Sequence, residues 1–436
     1  MISAFLALSM TILAPAPKAA VGPNDWPQWR GPNRDGQSSE KGLLKEWPKE
    51  GPQIEWTVEG CGGGYSSVAI VGGFIYGTGK LNDKECLWCR SEADGKEVWN
   101  TPFAEFRKVG YEEGVRSTPS VANGKVYCVG VSGDLICADA AKGEILWRRS
   151  YLKEFGGKVP GWGYSESVLV DGDKVICAPG SKTAAIVALS ADKGDVLWQT
   201  EIKDVGNAFG YSSAVKMTVN KVEMYVTLLG KTNGAPEERK GGVVGVDAKT
   251  GKLLWQYGRV MNGTANIPTA VIQGDLVWAS TGYGDGGAAL IQIVPDGDGF
   301  KVEEKKYYES KELQNHHGGM VLVGDYIFFG NKHNGGIPVC VEMKTGEIKW
   351  KQTAGAGGGS GSGSVIYADG MLYFRYENAK VALVTANPEK FELKGVFDIP
   401  QKSGKPSWAH LVIANGKLYI RDQDKMHCYN IKNPAS

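Results

Sequence analysis

Residues 138–147 read Ala138-Asp139-Ala140-Ala141-Lys142-Gly143-Glu144-Ile145-Leu146-Trp147, and residues 246–255 repeat the pattern as Val246-Asp247-Ala248-Lys249-Thr250-Gly251-Lys252-Leu253-Leu254-Trp255. In both, an apolar strand enters a turn and a second strand leaves it, with glycine at the position that demands positive φ. Shorter copies place Gly95 before Trp99, Gly194 before Trp198 and Gly346 before Trp350. Glycine is about one residue in seven of this chain, so five such coincidences, spaced by 48, 51, 57 and 95 residues, mark an internal repeat. The Trp on each departing outer strand offers a flat face that can pack between neighbouring units.

A second register counts the units. Segments that open on small or polar residues, alternate apolar side chains and turn at Gly, Asn or Asp begin near Ser67, Thr118, Ser167, Ser213, Thr269, Gly319, Ser364 and His410. Their spacings of 51, 49, 46, 56, 50, 45 and 46 residues each suit one four-stranded blade. Two blades lack the Trp motif and turn at Pro295-Asp296-Gly297-Asp298-Gly299 and Ala386-Asn387-Pro388-Glu389-Lys390. The last blade runs out after His427-Cys428-Tyr429-Asn430, and Ile54-Glu55-Trp56-Thr57 is expected to supply its fourth strand. The expected fold is therefore all-β: an eight-bladed β-propeller with four-stranded antiparallel blades. Pairing of the N- and C-terminal strands closes the ring and removes open sheet edges.

Composition agrees, with 61 glycines, 13 tryptophans and 10% aromatic residues favouring short strands and tight turns. Lys and Arg total 49 against 48 Asp and Glu, which leaves no basic field for nucleic acid. The apolar run Met1 to Ala14 reads as the core of a secretory signal within residues 1–20, too short for a membrane span. Residues 21–44 would then form an N-terminal strap and residues 45–436 the propeller, in a monomer placed in the periplasm or secreted. Cys89, Cys137, Cys340 and Cys428 fall at one repeat position and read as small core residues. Cys128 and Cys137, in one predicted hairpin, could form a disulfide; Cys86 and Cys89 would point to opposite faces of a strand.

The Asp139, Gly143 and Trp147 pattern resembles that of the PQQ-repeat, quinoprotein-like propellers, which include quinoprotein alcohol dehydrogenases and the BamB assembly factor. The resemblance covers roughly residues 45–436. The segment Trp26-Pro27-Gln28-Trp29-Arg30-Gly31-Pro32-Asn33-Arg34-Asp35-Gly36 also looks like the opening of secreted bacterial members, as a strap docked over the propeller. Family dehydrogenases hold pyrroloquinoline quinone (PQQ) against a Trp and a disulfide of adjacent cysteines, beside calcium. No adjacent cysteine pair occurs here.

Residues just before each innermost strand converge at one mouth of a propeller. They include Tyr65, Arg116, Tyr164, Glu166, Tyr211, His316, His317, Trp408 and His410. The recurring Gly-Tyr-Ser is also explained by inner-strand backbone satisfaction, and a polar, water-filled funnel would need no chemistry. Three of five histidines nevertheless fall in this set. His316, His317, His410 and Glu166 are the candidate ligands of a divalent metal, or the acid and base of a lyase or hydrolase acting on a saccharide. His333 and His427 lie off these positions, with surface or packing roles. Gly355 to Gly363 reads as a mouth loop. Three functions follow: a scaffold binding a protein or glycan, a saccharide-acting enzyme without quinone, and a divergent PQQ-dependent alcohol or sugar dehydrogenase.

Overall fold

The computed structural model describes residues 21–434 apart from 204, 207 and 208; the expected signal sequence lies outside the described residues. Eight four-stranded antiparallel sheets follow one another around an axis: residues 69–105, 120–150, 169–200, 215–257, 271–309, 321–351, 363–398 and 412–430, here blades 1 to 8. Blade 8 is completed by Gln53–Val58, whose Trp56 pairs with Cys428 and Thr57 with His427. The ring closes as expected, and the last outer edge is covered.

The repeat motif explains how one blade holds the next. The Asp139 carboxylate accepts from the backbone N–H groups of Ala141 and Lys142, and Gly143 donates its N–H to the Asp139 carbonyl, which tightens the turn. The indole of the preceding blade then lies against the turn glycine. Gly251 sits at φ +73°, and a Cβ there would stand 2.4 Å from the Trp198 ring. Trp99 Nε1 donates to the Ala140 carbonyl at 3.2 Å, Trp147 Nε1 to Ala191 at 3.2 Å, and Trp350 Nε1 to Asn387 at 3.0 Å. Each of these bonds reaches the following blade.

Behind each indole stands a small residue of the third strand: Cys89 opposite Trp99, Cys137 opposite Trp147, Cys340 opposite Trp350, Ala188 opposite Trp198 and Gly245 opposite Trp255. The repeated cysteines are thus spacers for the ring. All eight cysteines are free and buried. Cys128 and Cys137 do not face each other: Cys128 pairs with Ile136 and packs toward blade 1, whereas Cys137 pairs with Tyr127 and packs toward blade 3. A register offset of one residue turns their side chains to opposite faces.

Eight inner strands leave an axial channel, and residues 26–38 run within it. Trp26 exchanges backbone hydrogen bonds with Ile70 of blade 1, and Pro27 accepts from Val121 of blade 2. Gln37–Ser38 pairs in parallel with the innermost strand Gly363–Ala368 of blade 7. Between these contacts, Arg34 donates to the Ser167 and Val168 carbonyls at 2.6 and 3.2 Å, and Arg30 donates to the Met320 carbonyl. Both guanidinium groups are buried, and desolvation lowers their pKa to about 9 and about 10. The segment read as a strap over the propeller is anchored to the inner strands of blades 1, 2, 3, 6 and 7 or to residues leading into them.

Candidate functional site

The end of the axis above this segment opens into a cavity of about 350 Å³. Tyr65, Arg116, Tyr211, His316, His317, Trp408 and His410 line it, each delivered by a connection that leads into an innermost strand. Tyr164 and Glu166 do not. The Tyr164 hydroxyl is buried and donates to the Pro179 carbonyl at 2.9 Å. The Glu166 carboxylate accepts from Tyr151 Oη at 2.7 Å and from the Ala178 N–H, and desolvation raises its pKa to about 7. Glu166 therefore ties blade 3 together beneath the lining. Among the described residues, no group of three or more His, Cys, Asp or Glu is arranged to hold a metal ion, and Glu166 is not gathered with His316, His317 and His410 at the lining.

Among the described residues, eleven lining residues come from outside that set, six of them aromatic or ionisable. Tyr111 and Trp162 sit on the long connections between blades 1 and 2 and between blades 2 and 3. Tyr283, His333 and Glu377 sit on the hairpins joining second and third strands of blades 5, 6 and 7. His333, for which a surface or packing role was expected, lines the cavity. The hairpin Asn331–Gly336 curls inward through positive φ at Lys332 and Asn334 and brings its imidazole within 4.0 Å of His316. Trp29, from the axial segment, lies 4.4 Å from the His410 ring, and its Nε1 donates to Thr269 Oγ1 at 3.1 Å.

The lining is a continuous wall of rings. Tyr65 and Trp408 centroids are 4.8 Å apart, Tyr111 and Trp408 4.6 Å, His317 and Trp408 4.6 Å, and His316 and His317 3.8 Å. Tyr283 meets both His316 and His333, and its hydroxyl is 3.1 Å from His316 Nε2. Ser362 Oγ, at the end of the glycine-rich loop, is 2.7 Å from His316 Nδ1. That loop needs its glycines because it passes over Tyr376: a Cβ on Gly359 would stand 2.1 Å from the ring.

Electrostatically the wall is close to neutral. Desolvation, aided by His333, lowers the His316 pKa to about 3, and desolvation with Arg30 lowers His410 to about 3. His317 is likewise pushed well down by burial and by its neighbouring imidazoles. All three are neutral near pH 7. Arg116 already donates to the carbonyls of Gly114, Gly110 and Tyr111 and lies 5.5 Å from the Tyr65 centroid. His410 Nε2 donates to the His317 carbonyl at 3.1 Å, so His410 Nδ1 carries a lone pair. That atom, His317 Nε2 and Trp408 Nε1 have no partner among the described protein atoms.

A family model described as outer membrane protein assembly factor BamB matches residues 83–352. The chain belongs to this BamB family. Curated relatives include BamB of Shewanella oneidensis, 22% identical over 251 residues covering 54% of this chain and 56% of that protein. Quinohemoprotein alcohol dehydrogenase ADH IIB of Pseudomonas putida is 28% identical over 171 residues, 38% of this chain and 23% of that protein. The matches span less than two thirds of these relatives. Among solved structures, BamB from Moraxella catarrhalis superposes with a TM-score of 0.59 at 14% identity, covering 87% of this chain and 97% of the other. Quinohemoprotein alcohol dehydrogenase from Comamonas testosteroni gives 0.63 at 13% identity, covering 96% and 82%. These likenesses establish the fold that BamB and the dehydrogenases share.

The lining does not fit PQQ, a quinone with three carboxylates. Its cation is Arg116, three of whose N–H bonds are spent on backbone carbonyls, and its imidazoles are held neutral. The two cations of the axial segment, Arg30 and Arg34, are committed to backbone carbonyls below. No cysteine lines the cavity.

Proposed function

We propose that this BamB-family propeller is a binding module, acting in the periplasm or after secretion, that captures a protein or glycan partner at its axial mouth without quinone redox chemistry. The observation that carries this reading is the cavity itself, walled by aromatic rings and neutral imidazoles and fed by all eight blades through inner-strand connections or hairpins. Such walls desolvate a partner without presenting a charged nucleophile or a metal cluster. The BamB relatives are named as assembly factors, which supports a scaffold role, and the apolar run Met1 to Ala14 supports export.

Partner capture from an envelope fraction tests this, using wild type, Trp408→Ala and the outer-strand control Val196→Ser. The wild type and the control retain a partner that Trp408→Ala loses. Capture that ignores Trp408 would overturn the mouth as the binding site. A rise in melting temperature with PQQ and calcium, abolished by Arg116→Ala, would overturn the claim of no redox chemistry.

A further inference from the structure

The cavity is closed below by Trp29, held by its bond to Thr269 and packed on His410. A ligand therefore enters from the open mouth and stops at an indole, so one end of it is recognised. A cavity of about 350 Å³ lies at the lower end of small-molecule pockets and holds on the order of one or two six-membered rings. Its walls combine rings with polar side chains: Trp408 and Tyr111, packed edge to face at 4.6 Å, line the same cavity as Tyr283, Ser165 and Asn334. A pyranose has the matching character, with C–H faces that stack on indole and phenol rings and equatorial hydroxyls that need donors and acceptors at the edge.

Charge narrows the class. Among the described residues the lining carries one cation, Arg116, and one carboxylate, Glu377, and the rim adds the Lys405 and Glu113 pair at 3.0 Å. Glu113 accepts from Tyr65 Oη at 2.7 Å, and Glu377 accepts from the Ser362 N–H at 3.0 Å. The mouth thus balances its formal charges internally and offers no unmatched cation to a phosphate or uronate. The ring nitrogens of His317, His410 and Trp408 lie buried without a protein partner behind this wall.

We propose that the mouth takes the terminal pyranose of a neutral glycan, inserted end-on with Trp29 as its floor and Trp408 and Tyr111 as its stacking faces. The proposal rests on the mouth being the ligand site. Its test is a titration of the whole protein with cellobiose, maltose, laminaribiose, mannobiose, N,N′-diacetylchitobiose and digalacturonate, followed by calorimetry and tryptophan fluorescence. At least one neutral disaccharide binds, and digalacturonate binds at least tenfold more weakly. Trp408→Ala and Tyr111→Ala each weaken the neutral sugar at least tenfold. Tyr111 is 48% exposed, so its variant keeps the fold and separates lost binding from lost folding. Binding of none of the neutral sugars, equal binding of digalacturonate, or sugar binding unaffected by both variants would overturn the proposal. If a partner is still captured through Trp408 in that case, the mouth reading stands and the sugar class alone fails.

Discussion

Replacing Gly251 by Ala probes the contact by which one blade rests on the next. The residue is held at φ +73°, and the added Cβ would lie 2.4 Å from the Trp198 ring, roughly 1 Å inside the optimum separation of two carbon atoms. The left-handed backbone costs about 1–2 kcal/mol for a residue with a Cβ. Forcing the indole aside in a packed interface adds about 1–3 kcal/mol. Gly172→Ala is the internal standard: its φ is +62°, yet nothing lies within 4 Å of its Cβ, so it carries the backbone cost alone. Equilibrium urea unfolding of both variants at matched slope should show Gly251→Ala less stable than Gly172→Ala by about 1–3 kcal/mol. In the Trp198→Leu background that difference should shrink, because the opposing ring is gone. Equal losses for the two glycine variants, with or without Trp198, would refute the argument that the motif glycine exists to seat the neighbouring indole.

Arg421 is buried across the ring closure and donates to the carbonyls of Cys61, Gly62, Ser66, Thr78 and Gln423; Arg421→Leu should cost about 3–5 kcal/mol in urea unfolding by orphaning them. Stability should peak near pH 6.5. Burial lowers the folded pKa of His316 and His410 to about 3 and of His427 to about 4, so their contribution is present above 6.5 and lost as pH falls. Burial raises Glu85 to about 8 and Glu166 to about 7, so their contribution is complete below 4.5 and lost as pH rises through those values. Urea midpoints from pH 4 to 9 will show the dome, and Glu85→Gln should flatten its alkaline side. Thiol titration of the native protein should find no reactive cysteine until denaturant is added, since all eight are buried and desolvation pushes Cys137 up to about 12.

The blades and their closure were legible because every signal involved is local. A turn glycine four residues before Trp, and a strand period of one blade, survive in the one-dimensional order of residues whatever surrounds them. Even the ring closure follows from counting, since a three-stranded last blade and an unassigned Ile54–Thr57 strand leave one consistent pairing. The mouth was legible only as a list. Seven of the nine proposed residues do meet there, because the position before an innermost strand is itself set by the repeat.

Tertiary structure decided the rest. Ser165 holds the repeat position of Tyr65 and Arg116 and does line the cavity, whereas Tyr164 and Glu166, one residue to either side, turn away from it, and the Glu166 carboxylate meets Tyr151 of the helix at Tyr151–Phe155. His333 joins because a hairpin bends inward, a matter of φ at Lys332 and Asn334. The chain by itself determines that there are eight blades, how each is stitched to the next and which end of the axis gathers its rings, since those follow from contacts near in sequence. Which rings touch, and that Trp29 forms their floor, depends on elements from all around the ring meeting on one axis. That convergence is a property of the closed circle alone.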